Sequence, residues 1–104
     1  MKLNRVFALA SKSITLAILV TGTAFALPGE QYSSEAKLSL TQARQIAGKT
    51  YPGKFVSEEL EKESGGSGLR YSFVILKKNV KHEVGVDAKT GAILENSIEG
   101  ENSD

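Results

Sequence analysis

Three hydrophobic patterns follow one another along this chain, and each predicts a different element. Between residues 39 and 50, Leu40, Ala43, Ile46, Ala47 and Thr50 recur at helical spacing, while Thr41, Gln42, Arg44, Gln45 and Lys49 take the opposite side. "SLTQ" immediately before this run fits a capping box, with Ser39 accepting from the Gln42 amide and Gln42 reaching back. Gly48 weakens the last turn and Pro52 ends the helix. From residue 54 the period shortens to two. "KFVSEELEKE" alternates imperfectly, with Val56 and Leu60 expected on one side and charges between them. "LRYSFVIL" is the clearest strand: Leu69, Tyr71, Phe73 and Ile75 share one face, and Val74 and Leu76 on the other mark it as central. "VKHEVGV" aligns Val80, His82, Val84 and Val86, and "AILENSI" gives a last strand. "SGGSG" and "KKN" are the turns between. The pattern predicts an α+β fold: one N-terminal helix packed on one face of a curved antiparallel sheet of three to four strands.

The third pattern lies at the start. "MKLNRVFALASK" is basic, "ITLAILV" is a short apolar run, and "TGTAFA" places Ala24 and Ala26 in an A-x-A-like arrangement. This is the layout of a secretory signal peptide, with cleavage expected after Ala26. The apolar run is shorter than the ~20 residues a membrane-spanning helix requires. The expected division is 1–26 as signal peptide, 27–37 as a flexible arm, 38–98 as the folded domain and 99–104 as a disordered tail. The expected location is periplasmic or secreted, with no stable membrane insertion after cleavage.

Charge and composition narrow the possible chemistries. The formal net charge of the 104 residues is +1, yet Lys2, Arg5 and Lys12 are the only charges before Glu30. Without them ten basic residues face twelve acidic ones, about −2, which argues against a nucleic-acid partner. The absence of cysteine rules out disulfides, thiol catalysis and thiolate metal ligation. His82 is the single histidine. No G-x-S-x-G elbow accompanies it, and one histidine is a poor zinc site. Gly65, Gly66 and Gly68 precede a strand and lack the phosphate-loop pattern. "EELEKE" reads as a solvated, charge-alternating stretch of strand.

The most chemically suggestive segment is "VDAKTG", residues 86–91. It lies between two strand patterns, so turn chemistry accounts for each position. Ala88, Lys89, Thr90 and Gly91 form a four-residue hairpin loop. Asp87 bonds backbone amides two or three residues on, Thr90 adds a weaker bond of the same kind, and Gly91 supplies positive φ. A calcium site needs more oxygen ligands than this one carboxylate. The likeness to the phosphorylated "DKTG" of ion-pumping ATPases fails, because Ala88 intervenes. No catalytic, cofactor-binding or metal-binding residues are therefore expected, and no cofactor.

The capped helix "SLTQARQIAGKTYPGKFVS", the strand "LRYSFVIL" and the hairpin "EVGVDAKTGAIL" together resemble the PepSY domain. That family combines an A-x-x-I-A helix, a P-G break and a terminal V-x-V-D-x-x-T-G-x-(I/V)-L hairpin. The resemblance covers residues 38–94, and the hairpin is its most specific part. Its matched positions are Ala43, Ile46, Ala47, Pro52, Gly53, Val84, Val86, Asp87, Thr90 and Gly91, all fold determinants by the reading above. The family is named for propeptides of thermolysin-like metallopeptidases and a spore germination protein. The resemblance implies a non-catalytic exported module that modulates or inhibits a peptidase through a protein partner, a peptidase or another envelope protein. The alternative it implies is a periplasmic accessory or sensor protein that binds a ligand or a membrane-protein partner.

Overall fold

A computed structural model describes residues 26–100 of the chain. The expected signal peptide lies outside the described residues except for Ala26, and residues 101–104 of the expected tail lie outside them as well. Helix α1 (Leu40–Thr50) is followed by strands β1 (Lys54–Lys62), β2 (Leu69–Lys77), β3 (Val80–Asp87) and β4 (Ile93–Ile98). The strands form one antiparallel meander in the order β1-β2-β3-β4, with α1 on one face. The expected α+β architecture is the observed one.

The helix starts where the capping box places it. The Gln42 amide donates to Ser39 Oγ at 3.1 Å, and the Ser39 amide donates to Gln42 Oε1 at 2.8 Å. Ala43 and Ala47 are fully buried, because small side chains let the helix backbone settle close to the sheet. Beneath them lie Leu60, Leu69, Tyr71, Phe73, Ile75, Val84 and Val86, which form the core with Ala88. Phe55 meets Phe73 edge-on at 5.4 Å between ring centroids, a favoured aromatic geometry. The β2–β3 connection is a two-residue turn: Lys77 pairs with Val80, and Lys78 and Asn79 take φ of 50° and 66°. Two successive positive φ values mark the hairpin turn whose twist matches its strands.

Two local expectations are corrected. Val56 does not join Leu60 on the inner face. A β-bulge between Phe55 and Ser57 shifts the register, leaving Val56 42% exposed and turning Phe55 inward. Residues 27–37, expected as a flexible arm, follow a defined path. A 3-10 helix at Glu30–Glu35 lies against β1, and Leu27, Tyr32 and Ala36 pack on the core. The Leu60 amide donates to the Pro28 carbonyl at 2.9 Å. Lys62 pairs with Glu35 at 3.1 Å and lies over the Tyr32 ring. This segment satisfies part of the outer edge of β1, where unpaired backbone groups would otherwise be left.

Among the described residues, no helix covers the second face of the sheet. Register places Arg70, Ser72, Val74 and Leu76 of β2 there. Their cross-strand partners are Glu61, Glu59, Ser57 and Lys54 on β1 and Asp87, Gly85, Glu83 and Lys81 on β3.

Candidate functional site

The carboxylate singled out by the sequence is a structural acceptor. Asp87 ends β3 and is 1% exposed. Its Oδ1 accepts from the Lys89 amide at 2.8 Å, the Thr90 amide at 3.2 Å and the Ser67 hydroxyl at 2.7 Å. Its Oδ2 accepts from the Ser67 amide at 2.7 Å. Burial pushes this carboxyl up, but the Ser67 hydroxyl and the Lys89, Ser67 and Thr90 amides outweigh it and hold the pKa at about 2. The bonds to Lys89 and Thr90 are the turn bonds expected from "VDAKTG". Thr90 Oγ1 accepts from the Ala92 amide at 3.2 Å, and Gly91 takes φ of 82°.

The bonds from Ser67 were not foreseen, because nothing in local spacing joins positions 20 residues apart. They tie the β1–β2 loop to the β3–β4 turn. Gly66 makes the approach possible, since a Cβ there would stand 2.4 Å from Asp87 Oδ2. Next door, Ala88 accepts from the Lys37 and Leu38 amides at 2.9 and 3.0 Å, and Tyr71 donates its hydroxyl to the Leu38 carbonyl at 2.8 Å. Asp87 thus anchors the β1–β2 loop to the β3–β4 turn, while Ala88 and Tyr71 hold the entry of α1. Saturated by four donors and ionised down to low pH, it has no proton to exchange near neutrality.

His82 is also accounted for by packing. Its ring stacks on Tyr51 at 4.0 Å with an 11° interplanar angle, and Nε2 is hydrogen-bonded to Asn96 Oδ1. Among the described residues no serine or carboxylate side chain is bonded to the ring. Among the described residues no cluster of histidine and carboxylate side chains is arranged to hold a metal ion. A shallow groove of about 420 Å³ runs between α1 and the start of β1, lined by Arg44, Phe55, Val56, Ser57 and Glu58. A two-pronged ion pair crosses it, Arg44 Nε and Nη2 meeting Glu58 at 3.0 and 2.7 Å.

The uncovered sheet face remains, and it is strongly acidic. The alternation in "EELEKE" has a structural meaning that composition alone hides. Glu58 and Lys62 turn to the helix side, where each finds an ionic partner. Glu59 and Glu61 turn to the uncovered side, opposite Ser72 and Arg70, and Glu63 follows them. Glu83 on β3 and Glu95 on β4 complete the set.

Arg70 lies at its centre, its side chain only 9% exposed. Nη2 reaches Glu63 and the Ser64 carbonyl, each at 3.4 Å, and Nη1 reaches Glu95 at 3.4 Å. The side chain lies across Gly85, where a Cβ would come 3.2 Å from Nη1. A glycine at a buried strand position is thus explained by the arginine above it. Ser72 donates to Glu61 Oε2 at 2.7 Å, and Ser97 donates to Glu95 Oε2 at 3.0 Å. The Glu83 carboxylate makes no hydrogen bond or ion pair among the described residues. Burial raises its pKa, and repulsion from Glu95, Glu61, Glu99 and Glu63 raises it further. Burial also raises Glu61; the Ser72 bond opposes this, while Glu59 reinforces it. Such a face holds its negative charge at a cost to the fold.

The family model PepSY, described as the peptidase propeptide and YPEB domain, matches residues 37–96, more than half of the chain. That span includes all of α1 and β1 to β3 and most of β4. No curated protein and no solved structure gives a significant match.

Proposed function

The chain belongs to the PepSY family, and from that membership we propose that it is an exported, non-catalytic binding module that modulates or inhibits a peptidase of the cell envelope. The family's own description ties it to peptidase propeptides. The observation that carries the reading beyond the family is the division of labour in the sheet. One face is consumed by α1 and the core, while the other presents an ordered array of charged side chains that no element among the described residues covers. Asp87 and His82, the residues best suited to proton transfer, are committed to the turn and to stacking. The N-terminal signal-peptide pattern supports export.

Affinity capture tests the proposal. Residues 27–104, immobilised through a C-terminal tag, are incubated with the exported fraction of the source cells, and retained proteins are identified and assayed for proteolysis. The expected result is stoichiometric retention of a peptidase that is released by free protein. Retention of a sensor kinase or membrane reductase instead, with no peptidase, would overturn it.

A further inference from the structure

We propose that the uncovered face of the sheet docks a lysine- or arginine-rich segment of a protein partner, with Glu61 and Glu83 as its main cation acceptors. The inference rests on the binding-module reading and names the surface and the partner chemistry that it leaves open.

Charge complementarity fixes the sign of the occupant. Register and contacts gather Glu59, Glu61, Glu63, Glu83 and Glu95 on this face, against Lys54, Arg70 and Lys81. Nucleic acid and anionic lipid are repelled by it, and a cationic segment is attracted. Arg70 is already engaged by Glu63 and Glu95, and across the whole face the five carboxylates outnumber the three cations by two. Glu83 is the sharpest indication. Its carboxylate is half-buried near four other glutamates and, among the described residues, has no ion pair and no hydrogen bond. A lysine or arginine laid on the face would supply both.

A second observation separates a peptide from a simple polycation. Arg70 Nε is a buried donor with no acceptor, an unusual state for a polar atom. It sits in the middle of the acidic set, on a side chain 9% exposed that lies flat over Gly85. A peptide carries carbonyl oxygens between its cationic side chains, and a small rotation of the guanidinium would bring Nε to one of them. A polyamine offers cations and no acceptor. The two unmet needs of this face, a cation at Glu83 and an acceptor at Arg70, coexist in a basic main chain.

The test uses residues 27–104, isotope-labelled, titrated with a ten-residue peptide alternating lysine and alanine, and separately with spermidine. The peptide should produce saturable shifts of the Glu61, Arg70, Ser72, Glu83 and Glu95 amides and leave α1 unmoved. The double variant Glu61→Gln/Glu83→Gln should weaken peptide binding about fivefold or more, the scale of two exposed charge contacts. The control Glu30→Gln/Glu35→Gln removes the same charge from the 3-10 helix and should change affinity less than about twofold. Folding is not the confounder here, since removing repelling charges should leave the melting temperature unchanged or raised. An equal loss in both double variants, shifts centred elsewhere, or spermidine binding as tightly as the peptide would overturn the proposal. The captured peptidase separates this inference from the reading beneath it. If wild-type protein inhibits and Glu61→Gln/Glu83→Gln inhibits equally, the surface is wrong and the function stands. If wild-type protein captures no peptidase, the function fails and the peptide titration still decides the surface.

Discussion

Replacing Asp87 with asparagine probes the fold at its tightest polar contact. The ionised carboxylate accepts four hydrogen bonds, three on Oδ1 and one on Oδ2. Holding its pKa at about 2 instead of 3.8 means the charged form is favoured over a neutral one by about 2 kcal/mol in the fold. Asparagine forfeits that and adds a geometric fault. Whichever way the amide turns, its NH2 group faces a donor: the Ser67 amide on one side, or the Ser67 hydroxyl and the Lys89 and Thr90 amides on the other. One unmet donor adds roughly 1–2 kcal/mol, so the total is about 3–4 kcal/mol.

For a domain of this size that lowers the melting temperature by at least about 12 °C, and urea unfolding extends the measurement if the variant is only partly folded. The pH dependence is specific. A depressed carboxylate pKa gives stability that is fully present above about pH 4 and lost as pH falls through about 2. The wild-type-to-variant gap should therefore be constant from pH 7 to about 4.5 and narrow by about 2 kcal/mol toward pH 2. Ser67→Ala should cost roughly 1–2 kcal/mol in the wild type and much less beside Asp87→Asn, because the bonds are shared. A gap under about 2 °C at pH 7, or one that stays constant down to pH 2, would refute the assignment of Asp87 as a charged anchor.

Other outcomes follow from the same contacts. Glu83→Gln should raise the melting temperature, by a few degrees at most, because the charged form is disfavoured in the fold; a clear drop would contradict the repulsion argument. A raised carboxylate pKa gives stability present below the unfolded pKa and lost as pH rises through the folded value. Glu61 and Glu83 therefore act opposite to Asp87. Together they place maximum stability at mildly acid pH, about 4–5, checked by melting temperature against pH. Gly91→Val should destabilise more than Gly91→Asn, since φ is 82° and a Cβ there meets Ile46 and Leu38; equal melting temperatures would remove the left-handed strain. His82→Ala should lower stability modestly through the lost Tyr51 stack while leaving partner inhibition intact, and a folded variant with no inhibition would restore a chemical role for the ring.

Much of the fold was legible because its local signals agree with its tertiary structure. "SLTQ" reads as a capping box and is one. The alternation of Leu69, Tyr71, Phe73 and Ile75 marks a core strand and forms one. "VDAKTG" is turn chemistry and makes the turn. What stayed hidden depends on partners distant in sequence. The 3-10 helix has no period of its own and is held by the Pro28–Leu60 bond and the packing of Tyr32. The bulge at Val56 moves one residue across the sheet, and the run of apolar and charged positions gives no warning of it. The burial of the Arg70 guanidinium depends on Gly85, which stands opposite Ser72 on the neighbouring strand and leaves room for it. The acidic face was least legible of all. Its glutamates come from three strands, and near-neutral net charge conceals them until register brings them together.

The proposed restraint of a peptidase by this PepSY chain is open to a titration. Purified protein of residues 27–104 is added in increasing amounts to the exported proteolytic activity of the source cells, with labelled casein as substrate. The account predicts a saturable fall in hydrolysis that Asp87→Asn weakens only as far as it unfolds the protein and that Glu61→Gln/Glu83→Gln weakens while folded. Hydrolysis that stays constant across the titration, with the added protein verified as folded, would contradict it.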